Sequence, residues 1–125
     1  MEDSIIKILL VDDDESARNR LTAFFEENYF CVSGCGSAEE AISLFENESF
    51  DVAIIDLRLP VLNGEALIIK LNEKYPDVKF LIYTGMTRYK VSKNIREAGV
   101  KKEHVFLKPL EDLSVFIQTV NTLFY

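Results

Sequence analysis

Five times along the chain a short apolar run gives way to a segment whose apolar residues recur at helical spacing, and this alternation limits the fold more than any other feature. Ile5 to Val11 is apolar apart from Lys7, as suits a strand covered on both faces. Asp12 to Glu15 then introduce a helical pattern with Ala17, Leu21, Phe24, Phe25 and Asn28 on its inner stripe. Phe30 to Ser33 reads as a second strand. Ser37 caps the next helix with Glu40 three residues on, and Ala38, Ala41, Ile42 and Phe45 form its buried face. Val52 to Ile55 is the third strand, and Gly64 precedes a helix with Leu67, Ile68 and Leu71 inward. Val78 to Tyr83 is the fourth strand, followed by a polar helix over 88–98 with Val91, Ile95 and Ala98 in register and Gly99 at its C-terminus. Val105 to Leu107 is the fifth strand. Pro109 is expected to open the last helix, whose stripe is Leu113, Phe116, Ile117, Val120 and Phe124.

Such alternation implies an α/β fold in which helices cover both faces of a parallel sheet and the crossovers are right-handed. Five strand–helix units fit a doubly wound, flavodoxin-like sheet of order 2-1-3-4-5, whose ligands gather at the carboxyl ends of the strands near the switch point between the first and third. With 125 residues, 48% of them hydrophobic, and no linker or low-complexity tract, residues 1–125 are expected to form a single domain with one good core. A formal charge of −7 repels phosphate backbones and argues against direct binding of nucleic acid. Glu2 and Asp3 stand where an export signal needs cations, and no apolar run reaches the roughly 18 residues of a membrane helix, so a cytoplasmic location away from the membrane is expected. Cys31 and Cys35 lie four apart, roughly 13 Å along a strand and too far for a disulfide, and read as buried thiols. With His104 as the one histidine, a His/Cys metal cluster is excluded.

The polar residues at the strand ends carry the chemistry. Asp12 with Asp13, then Asp56, Thr84 and Lys108, end the first, third, fourth and fifth strands on the edge where this topology places its sites. Each has an ordinary structural reading: a turn residue for Asp56, a β-branched strand end for Thr84, a snorkelling surface lysine for Lys108. Asp14 is best read as the cap of the first helix, with Glu15 favoured in its first turn by the dipole. What those readings leave unexplained is the gathering of three acids, a hydroxyl and a cation on consecutive core strand ends. Carboxylates brought together in a partly desolvated cleft repel, so one is protonated or a cation joins them, and hard oxygen ligands favour Mg2+. A carboxylate can also attack phosphorus to give an aspartyl phosphate, with metal and lysine neutralising charge on the transferring group.

The blocks Lys7 to Glu15, Asp51 to Pro60 with Gly64, Tyr83-Thr84-Gly85, Glu97-Ala98-Gly99 and Leu107-Lys108-Pro109 resemble, in order and over the whole length, a response-regulator receiver domain of two-component signalling. The resemblance implies that Asp56 is the phosphoacceptor and that Asp12, Asp13 and Asp56 hold magnesium with the backbone carbonyl of Arg58. It also implies that Thr84 and Lys108 contact the phosphoryl group and that Lys108-Pro109 is a cis peptide. The implied donor is a histidine kinase or histidine phosphotransfer protein, and the implied output is a protein partner at the face of the fourth helix, fifth strand and last helix. The implied role is regulatory rather than enzymatic, apart from the domain assisting its own phosphorylation and dephosphorylation.

Three features limit what the resemblance carries over, one being Arg58 and Met86, two places after Asp56 and Thr84, which flank the site and bear on how readily water attacks a phosphoaspartate. Val105 holds the place of its usual aromatic switch residue, with Phe106 as the nearest candidate substitute, and Val100 to His104 is about two residues longer than usual. The alternatives are a degenerate receiver that binds partners without phosphorylation and a magnesium-dependent phosphohydrolase, which would place a second acid where Arg58 stands. A flavin carrier of similar topology is a further rival, but Asp12 to Glu15 would repel a flavin phosphate.

Overall fold

Residues that alternate along the first, third and fourth strands are almost all apolar on both sides, and both sides are covered. The computed structural model describes residues 5–125; Glu2 and Asp3 lie outside the described residues. Strands β1 (Lys7–Val11), β2 (Cys31–Cys35), β3 (Val52–Ile55), β4 (Lys79–Thr84) and β5 (Val105–Leu107) pair in parallel in the order β2-β1-β3-β4-β5, as expected. Ile8 pairs with Val52 and Val11 with Ile55, so β1 and β3 end side by side at the switch point.

Leu9, Val11, Ala53, Ile55 and Ile82 face α2 (Ala38–Asn47), α3 (Gly64–Lys74) and α4 (Lys93–Glu97). Their sequence neighbours Ile8, Leu10, Val52, Ile54, Leu81 and Tyr83 face α1 (Glu15–Glu27) and α5 (Ser114–Phe124). On that second face the fully buried rings of Phe25 and Phe116 lie 5.9 Å apart. Among the described residues no helix is long and apolar enough to cross a membrane.

Local chemistry sets the helix starts. Asp14 accepts from the amides of Ser16 and Ala17, Ser37 from that of Glu40, and Asn63 from that of Ala66. The Glu40 carboxylate reaches back to the Gly36 amide at 2.9 Å, one residue before the cap where a standard capping box would end.

Several expectations need correction. The helix expected over 88–98 spans only Lys93–Glu97, because Ser92 caps it late and the chain from Gly85 to Ser92 is irregular. Its C-terminus is as the glycine suggested: Gly99 has φ +94°, its amide donates to Arg96 and the Val100 amide to Ile95. Buried Ile95 and Val100 complete this Schellman turn. The last helix opens at Ser114 rather than Pro109, after a loop in which the Asp112 carboxylate accepts the Ser114 amide; Lys108-Pro109 is cis. β2 runs on to Cys35, and only that cysteine is buried; Cys31 is exposed, and both are free thiols. Burial pushes the Cys35 thiol up to about 11, far from a reactive thiolate. Asn28 is exposed at the end of α1 rather than inward.

Gly64 shows how tightly α3 sits under the third strand's end. A Cβ there would lie 2.7 Å from Leu57 Cα and overlap the Asp56 carbonyl. Gly64→Ala is therefore expected to destabilise the fold by about 3 kcal/mol, read as a lower urea midpoint at unchanged slope. An unchanged midpoint would mean that α3 can back away freely.

Candidate functional site

The strand order brings the carboxyl ends of β1, β3, β4 and β5 to one edge, and every strand-end residue singled out in the sequence stands there or in the turn that follows. Asp12 directly follows β1 and is 5% exposed; Asp56 directly follows β3 and is 7% exposed. Asp13 is exposed beside them, and one carboxylate oxygen from each of Asp12, Asp13 and Asp56 lies within 4.8 Å of the others. Thr84, the last residue of β4, is fully buried, and Lys108 follows β5.

Backbone bonds hold these positions. The Asp12 amide donates to Cys35 and the Asp56 amide to Val11, extending the sheet ladder one step into each acidic turn. Asp12 Oδ1 accepts the Asp14 amide at 2.9 Å, and Asp56 Oδ1 accepts the Arg58 amide at 3.1 Å. In each case one carboxylate oxygen folds its own loop and leaves the other for the cleft. The Lys108 amide donates to the Thr84 carbonyl at 2.9 Å, which ties the loop after β5 to the end of β4.

Lys108 Nζ occupies the space between the acids, 2.5 Å from Asp12 Oδ2 and 3.0 Å from Asp56 Oδ2. The surface-lysine reading fails: its side chain is 22% exposed and crosses the face of Tyr83. Burial pushes Asp12 above the usual carboxylate range even though Lys108 and the Asp14 amide favour its charged form. Burial also opposes charge on Lys108, but the bonds to Asp12 and Asp56 outweigh it and its pKa lies above the usual lysine value. The ammonium therefore remains charged, one cation facing three carboxylates. All-oxygen donors gathered this closely suit a hard divalent cation.

Thr84 Oγ1 accepts the Met86 amide at 3.3 Å, so the hydroxyl is engaged with its own loop. Arg58 is exposed, and it is its backbone, rather than its guanidinium, that addresses Asp56.

Two contributors were not legible from residue type. The Arg18 guanidinium donates to the Asp12 carbonyl at 2.6 Å and braces the acidic turn from α1. Its signal is the pair Gly34 and Gly36: a Cβ on Gly36 would lie 3.2 Å from Arg18 Nη1. The second is Tyr89, in the loop after β4, whose hydroxyl donates to Glu65 Oε2 at 2.6 Å and whose ring packs on the same core as Val105. Burial and the Glu65 carboxylate hold this phenol well above its usual range, so it stays a donor.

Comparison with known proteins places this geometry. The model of the response regulator receiver domain matches residues 8–120. Over 112 residues the chain is 27% identical to the uncharacterized transcriptional regulatory protein YesN of Bacillus subtilis, which covers 87% of this chain but 30% of that relative. The CheY-like receiver domain protein of Methanospirillum hungatei shares the fold with a TM-score of 0.81 at 27% identity, covering 96% of this chain and 94% of that one. The response regulator TrrA of Thermotoga maritima, solved in complex with Mg(2+)-BeF, has a TM-score of 0.82 at 21% identity, covering 95% and 99%. The family is a regulatory one, the receiver part of two-component response regulators. From its sequence blocks, its sheet order and the match over nearly its whole length, the chain belongs to the response regulator receiver domain family.

Proposed function

We propose that residues 1–125 act as one phosphoacceptor switch, in which Asp56 takes a phosphoryl group from a phosphohistidine on a histidine kinase or phosphotransfer protein in the cytoplasm. The observation that carries this reading is Lys108 Nζ bonded at once to Asp12 and Asp56, since the ammonium then lies beside both the nucleophile and the metal ligands. Asp12, Asp13 and Asp56, with the Arg58 carbonyl, would hold a magnesium ion. That ion supplies charge neutralisation on the phosphoryl oxygens; the Mg(2+)-BeF complex of TrrA supports the choice of metal.

The chain's own residues do the rest. An Asp56 carboxylate oxygen attacks phosphorus, the new P–O bond forms as the P–N bond to the donor imidazole breaks, and the donor histidine leaves with the bonding pair. Lys108 stabilises charge on one phosphoryl oxygen and the Thr84 hydroxyl donates to another after giving up its bond to Met86. That movement pulls on the loop from Gly85 to Ser92, and a downstream protein reads the change at the face of α4, β5 and α5.

A small-molecule phosphodonor tests this reading. With magnesium, intact mass should show one added phosphoryl group per chain, and a chelator should abolish the gain. Asp13→Ala should slow labelling by two orders of magnitude or more while leaving Asp12, Asp56 and Lys108 in place. Labelling of that variant at the wild-type rate, indifferent to chelator, would put the metal elsewhere or remove it from the reaction.

A further inference from the structure

The loop that carries Lys108 is tied down by the last two residues of β4. The Thr84 carbonyl accepts the Lys108 amide, and the Tyr83 hydroxyl accepts the Leu110 amide at 3.1 Å. From α1 the Arg20 guanidinium donates to the Leu110 carbonyl at 2.9 Å, so side chains engage both backbone polar groups of Leu110. Tyr83 also lies under the charge itself, with Lys108 Nζ 5.5 Å from the centre of its ring. One tyrosine thus meets the lysine twice, with its ring at the ammonium and its oxygen on the backbone two residues further along. The ring is itself fixed. Tyr83 is 4% exposed, pairs with Phe106 across the β4–β5 ladder, and meets the fully buried ring of Phe116 edge-on at 5.2 Å and 83°. A buried tyrosine whose hydroxyl is bonded to a loop is an ordinary core residue, but nothing in that role requires an ammonium over its face. The ammonium found there is the one bonded to Asp12 and Asp56.

We propose that Tyr83 is the positioning residue for Lys108: its ring keeps the ammonium at the cleft once a metal ion competes for the carboxylate oxygens bonded to Nζ, and its hydroxyl fixes the loop that carries the lysine. The effect on rate rests on the phosphoacceptor reading of the site; the hold on the lysine does not. Asp12 Oδ2 and Asp56 Oδ2 bind Nζ in the metal-free chain, so these are the bonds that a divalent ion among the same acids weakens. A ring face attracts a cation through its quadrupole and offers no oxygen for the metal to take. That contact therefore survives metal loading. Lysine ends in a point charge on a flexible four-carbon stem, and without the ring the loaded site leaves that stem to wander. An aliphatic side chain at position 83 fills the same core space and holds neither the charge nor the loop.

A double-mutant cycle tests this. Labelling of the full chain by a small acyl phosphate is timed by intact mass at saturating magnesium in wild type, Tyr83→Leu, Lys108→Met and the double variant, with each folded fraction taken from thermal unfolding. Tyr83→Leu should slow labelling about tenfold. In the Lys108→Met background it should slow it by no more than about twofold, because the residue it acts through is gone. Tyr83→Phe keeps the ring and loses the anchor, so it should recover most of the rate while the Leu110 amide exchanges faster than in wild type. A second readout needs no phosphorylation. The ε-methylene protons of Lys108 should resonate upfield of those of exposed Lys93 through the ring current of Tyr83, with and without magnesium. Tyr83→Phe should keep that shift and Tyr83→Leu should lose it. Equal slowing by Tyr83→Leu in both backgrounds would overturn the proposal and leave Tyr83 as core packing. So would a wild-type Lys108 signal that magnesium moves to the position of Lys93, a measurement that stands even where Tyr83→Leu fails to fold. If wild type takes no label, the phosphoacceptor reading fails, and the Lys108 signal alone decides whether Tyr83 holds the lysine.

Discussion

Asp56→Asn is expected to leave the fold intact and remove phosphorylation altogether. The amide is nearly isosteric, and its oxygen can still accept the Arg58 amide that shapes the loop. It lacks the anionic oxygen that attacks phosphorus, so the loss should be complete rather than graded. Exposed Asp13 lacks the Lys108 contact that would neutralise the transferring group. The wild-type label should behave as an acyl phosphate, stable to acid and lost in base, and intact mass measured before and after mild alkali checks both points. A label on Asp56→Asn at wild-type stoichiometry would move the nucleophile to another residue. Thermal unfolding of the variant controls for the fold, and a midpoint near wild type is expected because one of two carboxylates crowded round Lys108 has been neutralised.

The sequence was most readable where a segment is buried on both faces. Val52 to Ile55 is one such run and its ends were clear, whereas β2 lies at the sheet edge with Cys31 and Gly34 exposed, and its limits slipped by one or two residues. The late starts of α4 and α5 share a cause. Local polar chemistry at Ser92 and Asp112 favours capped turns ahead of each helix, the Asp112 carboxylate accepting the Ser114 amide, and this outweighs apolar spacing that extends further back. The acidic edge was legible because topology alone brings strand ends together, so residue type and position sufficed. Arg18 was not, because a helical arginine has no sequence mark until the glycines that make room for it are seen beside it.

The substitute for the missing aromatic at Val105 was the least legible part. Strand alternation sends Phe106 to the opposite face, where its ring lies 4.7 Å from that of Phe116, so the sequence candidate is committed to the α1/α5 side. Among the aromatics on Val105's own side, Tyr89 lines the same groove as Val105, and it is contributed by the loop after β4 rather than by β5. Its hydroxyl is anchored to Glu65 at the start of α3, so any movement of the Gly85–Ser92 loop toward Asp56 must stretch or break that bond. A pattern search confined to the strand could not find a ring delivered by the neighbouring loop.

Lys108→Met should separate two properties that share the same two carboxylates, tightening magnesium while slowing phosphorylation. In the wild type Nζ occupies Asp12 Oδ2 and Asp56 Oδ2, so a divalent ion must bind beside a positive charge and compete for oxygens already bonded. Two unit charges about 4 Å apart interact by roughly 4 kcal/mol at an effective dielectric near 20. The lysine is partly exposed, which screens this, and about a tenfold gain in magnesium affinity is the expected remainder. Protons complicate the gain in a predictable direction. Lys108 is one of the influences that lower Asp12, so its loss lets burial push that carboxyl further up. Asp12 then takes a proton more readily as pH falls, so the gain should be full in mild alkali and shrink toward acid. The same sign governs stability. A carboxyl whose folded pKa is raised destabilises the fold once ionised, so without magnesium the variant should unfold more easily than wild type above that pKa and recover as pH falls through it. Phosphorylation moves the opposite way, because no other ammonium stands between Asp12 and Asp56 among the described residues to meet the developing phosphoryl charge. Removing one preorganised charge of this kind costs about 10²–10³ in rate. Magnesium titration by calorimetry and labelling rates at saturating metal measure the two effects separately. Weaker magnesium binding at alkaline pH together with an unchanged labelling rate would show that Lys108 is a structural brace for Asp12 and Asp56, with no part in meeting phosphoryl charge.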